Sequence, residues 1–305
     1  MKVKKITKAD LDENNYYRHS DSIDVDGSIE IERNLGMVRF RGFLSAAGGI
    51  DAAYGSGIKA GGGIEAGDGI EAGSSIKAGS WIEAGSVIKA GAAIEAGSWI
   101  KAGDGIEAGS WIEAGDGIKA GSWIKAGDGI EAGSSIKAGS SIKAGEGIEA
   151  GGGIEAGSSI KAGWDIKAGD EIKAASEIKA GWGIEAGSSI KAGWGIEAGG
   201  GIEAASEIKA GAWIKAGGGI EAGWGIEAGW GIEAGLQISA KKTISAKLRI
   251  FAGICSWKAP LPEEMTITAQ SVEGEVCYGV VKLLPTEDSV NPHSSPQTVA
   301  SSRRG

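Results

Sequence analysis

Residues 58–75 read Ile-Lys-Ala-Gly-Gly-Gly-Ile-Glu-Ala-Gly-Asp-Gly-Ile-Glu-Ala-Gly-Ser-Ser, and this six-residue unit continues without interruption to Ile250. An Ile recurs at every sixth position, 33 times in all, and an Ala follows two residues after each Ile. The residue between them is Lys or Glu from Lys59 to Glu233. This alternation predicts a short strand whose Ile and Ala face a core while the charged side chain faces water.

A corner follows each predicted strand. Its first residue is Gly throughout residues 61–235, except at Ala175 and Ala205, and two variable residues complete the unit. Gly fits a corner that needs a positive φ or a close approach of backbone. A helix cannot use a six-residue period with such frequent Gly. Strands this short can pair only with their own copies one coil above and below, so the array predicts a β-solenoid.

Over residues 58–250, about two-thirds of the chain, the unit resembles the hexapeptide-repeat proteins of the left-handed parallel β-helix class. The resemblance implies an all-β fold, a single-stranded parallel β-helix in which three hexapeptides form one triangular coil, wound left-handed. In this chain the small inward residue is the Ala after Ile, whereas bulky residues such as Asp68 and Trp164 stand two positions before an Ile. A flat solenoid of two hexapeptides per coil is the alternative.

The ends depart from the repeat. Thr7 and Asp10 match a capping box that would open a short helix over the first coil. Caps of this kind keep the last strand edges from recruiting other chains. We expect the following division: an N-terminal cap with irregular first coils at 1–57, the solenoid at 58–250, a β-rich C-terminal cap at 251–284 and a disordered tail at 285–305.

The composition argues against two classes of binding partner, nucleic acids and membranes. The formal net charge of -9 argues against direct nucleic-acid binding, and no stretch approaches the length of a membrane span. Cys255 and Cys277 lie outside the repeat without a second pair that could complete a zinc site, so we expect two buried free thiols. We therefore expect a cytoplasmic protein with no membrane partner.

Catalysis is not expected. The only histidines are His19 and His293, one near each end of the chain. Acyltransferases of the class that the repeat resembles need a general-base His within the solenoid, and metal-dependent members need several as ligands. We therefore expect no catalytic residues, no cofactor, no metal and no small-molecule substrate.

The charged positions separate into three columns when the array is folded at three hexapeptides per coil. One column holds seven Glu and three Lys, whereas each of the others holds six Lys and four Glu. Four successive members of the first column form a candidate acidic stripe: Glu95, Glu113, Glu131 and Glu149. The stripe suits a basic partner or mimics a nucleic acid; the simpler interpretation is a solvated face.

Ten Trp occupy corner positions, where Ser, Gly or Asp also occur, so we expect the rings at the surface. With the same folding, several align and form a candidate protein interface: Trp81 with Trp99, Trp164 with Trp182, and Trp194 with Trp213 and Trp230. Aligned exposed aromatic rings favour an interface over a ladder that only rigidifies corners. The sequence thus predicts a non-enzymatic scaffold that binds itself or another protein; the alternative is an inhibitory decoy that presents the acidic stripe to a DNA- or RNA-handling protein.

Overall fold

The computed structural model describes residues 2–286 and is a parallel β-solenoid of about 14 coils with about 18 residues per coil. Neighbouring coils pair in register, so that Ile94 lies opposite Ile112 and Ala96 opposite Ala114. The prediction of three hexapeptides per coil is confirmed, and the flat alternative of two hexapeptides is wrong. The left-handed sense stays a prediction.

Four of the first seven strands have five residues and are longer than the three-residue strands of the array, and every third strand stacks in one column. The bounds are β1 Lys2–Ile6, β2 Ile23–Val25, β3 Gly27–Ile31, β4 Gly36–Phe40, β5 Leu44–Ala46, β6 Ile50–Ala52 and β7 Ser56–Ala60; three-residue strands then recur every six residues from β8 Ile64–Ala66 to β31 Ile202–Ala204. They continue as β32 Glu207–Ala210, β33 Trp213–Ala216, β34 Ile220–Ala222, β35 Gly225–Ala228, β36 Gly231–Ala234, β37 Ile238–Ala240, β38 Thr243–Ala252, β39 Thr266–Ala269, β40 Ser271–Tyr278 and β41 Val280–Leu283. Two 3-10 helices occur at Lys8–Asp10 and Pro262–Met265.

Three flat faces enclose the core. Face 1 contains β7 and every third strand up to β37, within a sheet of 14 strands. Face 2 begins its regular strands at β8 and face 3 at β9. These two faces belong to one 27-stranded sheet, because the long strands β38 and β40 lie along both. We call the corners between faces corner 1–2, corner 2–3 and corner 3–1.

The core is a stack of identical side chains. Every array Ile is at most 2% exposed and every array Ala at most 8%. The charged residue between them is never buried. Full burial of each Ile contributes about 1.5–3 kcal/mol of transfer free energy. The predicted division between inward and outward positions is confirmed.

Close backbone approach explains the corner Gly. A Cβ built on Gly139 would lie 1.9 Å from the carbonyl oxygen of Gly121, one coil earlier. The Gly residues with positive φ all lie outside the array, for example Gly55 and Gly253. Of the two reasons that the sequence offered for Gly in the array, the close approach is therefore the correct one.

The first coils are longer than the array coils. Ile23 lies opposite Leu44, and Val38 lies opposite Ile58. The predicted capping box is present: the backbone N–H and the hydroxyl of Thr7 both donate to Oδ2 of Asp10 at 2.9 Å. It opens a 3-10 helix of three residues.

The C-terminal strands extend the same columns but leave apolar side chains in water. Ile267 lies opposite Ile238, and Val281 opposite Ile267. All four residues of β41 are exposed. The two cysteines are free, but the expected burial is wrong: Cys255, in the irregular segment after the array, is half-buried, and Cys277, in the C-terminal strand β40, is exposed. Most of the predicted tail, from residue 287 onward, lies outside the described residues, as does His293.

Candidate functional site

Corner 2–3 carries a cluster of three indoles near the C-terminal end of the array, formed by Trp194, Trp213 and Trp230. We call it the Trp cluster. The ring centroid of Trp194 lies 5.3 Å from that of Trp213 and 5.1 Å from that of Trp230, and the centroids of Trp213 and Trp230 are 5.9 Å apart. The structure therefore brings together all three residues that the sequence placed in one corner.

Ala212 explains how rings two coils apart can touch. Trp194, Ala212 and Trp230 occupy the same corner position in successive coils, joined by backbone hydrogen bonds of 2.7 Å. Ala212 is 1% exposed, although it stands at a corner. The indoles of Trp194 and Trp230 therefore contact each other across the small Ala212 side chain and bury it. Even so, Trp194 and Trp230 remain 46% and 48% exposed, so the cluster presents a large apolar surface to water.

A groove of about 770 Å³ continues this surface along face 3 towards the C-terminal end. Trp213, Trp230, Leu248 and Phe251 line it. Leu248 occupies the same corner position as Trp230 and is itself exposed. Lys247, Arg249 and Glu275 are among its charged lining residues.

The other predicted pairs differ from each other in packing. Trp81 and Trp99 in corner 1–2 stack face to face, with centroids 5.4 Å apart and planes 8° from parallel. Both are half-buried. Trp164 and Trp182 in corner 3–1 follow each other in successive coils and are the most exposed array Trp, at 61% and 72%. The first pair forms a ladder along its corner, whereas the second projects into water.

Position within the corner, together with the residue one coil earlier, distinguishes packed indoles such as Trp81 and Trp213 from exposed ones. A Cβ built on Gly63 would lie 2.4 Å from the ring of Trp81, and one on Gly195 would lie 2.6 Å from the ring of Trp213. These indoles stand immediately before an array Ile and lie over a Gly of the preceding coil. The sequence reasoning missed this distinction, although a Gly three hexapeptides before the Trp was a visible signal.

The acidic stripe is continuous on face 1. Glu95, Glu113, Glu131 and Glu149 are register partners in successive coils, at a strand spacing of about 4.8 Å. Nζ of Lys77 lies 2.6 Å from Oε1 of Glu95. Within residues 2–286, Glu113, Glu131 and Glu149 form no ion pair, and all three are exposed. No ion pair within these residues therefore neutralises their negative charge.

Faces 2 and 3 balance more of their charge within their own columns. On face 2, Lys137 pairs with Glu155 at 2.7 Å and Lys209 with Glu227 at 2.7 Å. The hydrogen bond from Lys137 lowers the pKa of the Glu155 carboxyl, and the bond to Glu227 raises the pKa of Lys209. Such bonds favour the charged form of each partner.

Two further ion pairs join lysines of faces 2 and 3 to glutamates in the corners. The alignment of charged positions from the sequence did not reveal these pairs. Lys191 binds Glu171 at 3.0 Å and Lys161 binds Glu177 at 2.8 Å. Each of these corner carboxylates lies about one coil from the lysine that it contacts. Corner glutamates thus neutralise lysines on faces 2 and 3, whereas no ion pair within residues 2–286 joins a corner residue to face 1.

The histidine of the described chain, residues 2–286, lies outside the array. His19 lies near the N-terminal cap, with Nε2 3.0 Å from Oδ1 of Asp10. No group of three or more His, Cys, Asp or Glu side chains in this described range is placed to hold a metal ion. The surfaces that stand out in the described residues are aromatic or charged.

Comparisons with protein-family models, with curated proteins and with solved structures found no match for this chain. Between residues 2 and 286, no helix has the length and apolar character required to cross a membrane.

Proposed function

We propose that this protein is a non-enzymatic scaffold that binds other copies of itself through its exposed Trp corners, chiefly through the Trp cluster. By architecture we place it with the left-handed hexapeptide-repeat solenoids. We also propose a cytoplasmic location, which fits two free cysteines because a reducing compartment keeps thiols unpaired.

The exposure of the Trp cluster supports this proposal. Trp194 and Trp230 keep nearly half of their surface in water while contacting each other and Trp213. Trp is enriched at protein interfaces, and contiguous exposed apolar patches mark interaction sites. The solenoid backbone does not need these rings, since Ser occupies equivalent corners at Ser134 and Ser188.

The test replaces the Trp cluster with three Ser. We expect the far-ultraviolet circular dichroism spectrum to be unchanged and self-association, measured by sedimentation velocity, to weaken by at least tenfold in Kd. Interface Trp residues are typical hot spots worth about 2 kcal/mol or more each. The matched control replaces the three array Trp outside the candidate set: Trp111, Trp123 and Trp224. Equal loss in both variants would contradict a specific role for the cluster.

A second candidate function is the inhibitory decoy, and the unneutralised carboxylates of face 1 favour it. A DNA- or RNA-handling protein with a basic groove would bind Glu113, Glu131 and Glu149. Changing these three to Gln would then abolish binding to such a protein, whereas the Ser variant of the Trp cluster would still bind. Retention of binding by the Gln variant would eliminate the decoy.

A further inference from the structure

Faces 1 and 2 carry opposite charge patterns along the same rod. Between residues 59 and 233, face 1 has seven Glu and three Lys, whereas face 2 has six Lys and four Glu. Both patterns repeat at the same strand spacing, because both faces belong to one solenoid. Two copies with parallel axes therefore keep a constant relation between their charged columns along the whole contact.

We propose that face 1 of one copy docks on face 2 of a second copy, with parallel axes and an offset of one coil. This rests on the proposed function of self-association and names its partner surface. In this alignment eight of nine facing positions pair Lys with Glu, and only Glu95 faces a like charge, Glu83. The eight pairs, face 1 first, are Lys77 with Glu65, Glu113 with Lys101, Glu131 with Lys119, Glu149 with Lys137, Lys167 with Glu155, Glu185 with Lys173, Glu203 with Lys191 and Glu221 with Lys209.

The offset is selected by the charges. Without it, three of ten facing positions are like pairs, such as Lys167 with Lys173. An offset of one coil in the other direction gives four like pairs in nine. Face 3 is the next best partner, with two like pairs in nine at its most favourable offset within one coil. Face 2 at the proposed offset has the fewest.

The distances suit ion pairs across the contact. Sheets that pack face to face lie about 10 Å apart, which extended Lys and Glu side chains together can span. Glu113, Glu131 and Glu149 have no ion pair within the described chain, and neither has Lys119 on face 2. Docking pairs Glu131 with Lys119, whereas Glu113 and Glu149 share Lys101 and Lys137 with the glutamates that these lysines already bind on face 2, Glu83 and Glu155.

The corners complement each other in the same alignment. Because both rods wind in the same sense, the corner before face 1 lies opposite the partner copy's corner after face 2. That corner holds the Trp cluster. Opposite Trp194 stand the three glycines at 199–201, and opposite Trp213 the three glycines at 217–219. Two of the three cluster indoles thus meet the smallest corners of the other copy, whereas Trp230 meets Leu236 and Gln237.

The contact is heterologous, since it joins two different faces. Each copy in a pair therefore keeps one free docking face, and symmetry does not stop association at a dimer. Individual exposed ion pairs are weak, about 0.2–1 kcal/mol each, and are screened by salt. Association is thus expected to strengthen as salt falls and to form species larger than dimers as concentration rises.

Three charge-reversal variants test the docking. The first changes Glu113, Glu131 and Glu149 to Lys. The second changes their three facing residues, Lys101, Lys119 and Lys137, to Glu. We expect each triple variant alone to weaken self-association at least tenfold. The third variant carries all six changes, has the net charge of the wild type and restores association.

A crosslinking experiment fixes the offset, in a background with both native cysteines changed to Ser. One copy carries Glu131→Cys, and the mixed second copy carries Lys119→Cys, Lys137→Cys or Lys161→Cys. A short bismaleimide should join position 131 to 119 in highest yield. Preference for 137 would overturn the offset, and preference for 161 would overturn the choice of face 2.

The outcomes separate the two proposals. If the reversals leave association unchanged while the Ser variant of the Trp cluster loses it, face docking is wrong and the scaffold proposal stands. If the reversals act while the Ser variant associates normally, the Trp cluster is wrong as the interface. A wild type that is monomeric at low salt and high concentration overturns both.

Discussion

Deleting one hexapeptide should leave the solenoid folded while changing which face each charge occupies. We consider the deletion of residues 115–120, Gly-Asp-Gly-Ile-Lys-Ala, which removes one Asp and one Lys and leaves the net charge unchanged. Every later strand then moves back by one face. Its Ile and Ala still stack on Ile and Ala, because all array strands share the same inward residues. Thermal stability should therefore change little.

The charge pattern changes far more than the fold. Face 1 of the deletion variant gains Lys137, Lys173, Lys191 and Lys209, so its column moves from a net charge of -4 to +2. In the proposed docking, like pairs rise from one in nine to four in nine. Three attractions become repulsions, and at about 0.2–1 kcal/mol per pair the contact loses about 1–6 kcal/mol. We expect Kd for self-association to rise at least about fivefold.

The assay is sedimentation velocity at low salt, combined with thermal melting followed by circular dichroism. The control deletes a whole coil, residues 133–150, which also leaves the net charge unchanged and returns every later strand to its face. The control should associate like the wild type. Two results would refute the reasoning: loss of the β-sheet signal in the hexapeptide variant, or wild-type association by a variant that is folded.

Three further predictions concern stability. Ile130→Ala should lower the free energy of unfolding by about 2–5 kcal/mol through the cavity that it leaves, whereas Glu131→Ala should change it by less than about 0.5 kcal/mol, as denaturant titrations would show. Gly139→Ala should lower the melting temperature because its Cβ would meet a carbonyl oxygen, while Ser140→Ala, at the exposed neighbouring position, should not; a neutral Gly139→Ala would contradict the close-approach explanation. The side chain of Asp51 is exposed, yet partial desolvation by its neighbours, followed by repulsion from the carboxylates one coil away on either side, raises its pKa, so its ionisation destabilises the fold as pH rises. Asn at this position should raise the melting temperature at pH 7, with the gain disappearing below about pH 4.

The sequence predicted the columns of the fold because translation along the rod is a strict repeat. Once a coil contains three hexapeptides, the register of Glu113 with Glu131, or of Trp194 with Trp230, follows by counting. The burial of Ile and the exposure of the charged row follow from alternation alone. No knowledge of side-chain conformation is needed for these features.

Side-chain conformations at the corners could not be predicted in the same way. Trp213 is half-buried and Trp182 is 72% exposed, although both are corner indoles. The difference arises from what the adjacent coil offers to each ring, and from the position of each ring within its corner. The ion pairs that reach corner residues, such as Lys191 with Glu171, depend on side-chain reach for the same reason.

The uniform core does not determine the pattern of charges on the surface of the rod. Since each Ile–x–Ala strand fits any of the three faces equally well, the core cannot determine which charges share a face. The face on which each charge lies depends instead on its sequence distance from the first coils, which break the repeat. There Ile23 opposes Leu44 and Val38 opposes Ile58, at separations longer than three hexapeptides. The irregular N-terminal coils therefore determine on which face every later strand lies. A change that inserts or removes a hexapeptide would be nearly silent in stability and decisive for the surface, which is why association, rather than folding, is the property that such changes should alter.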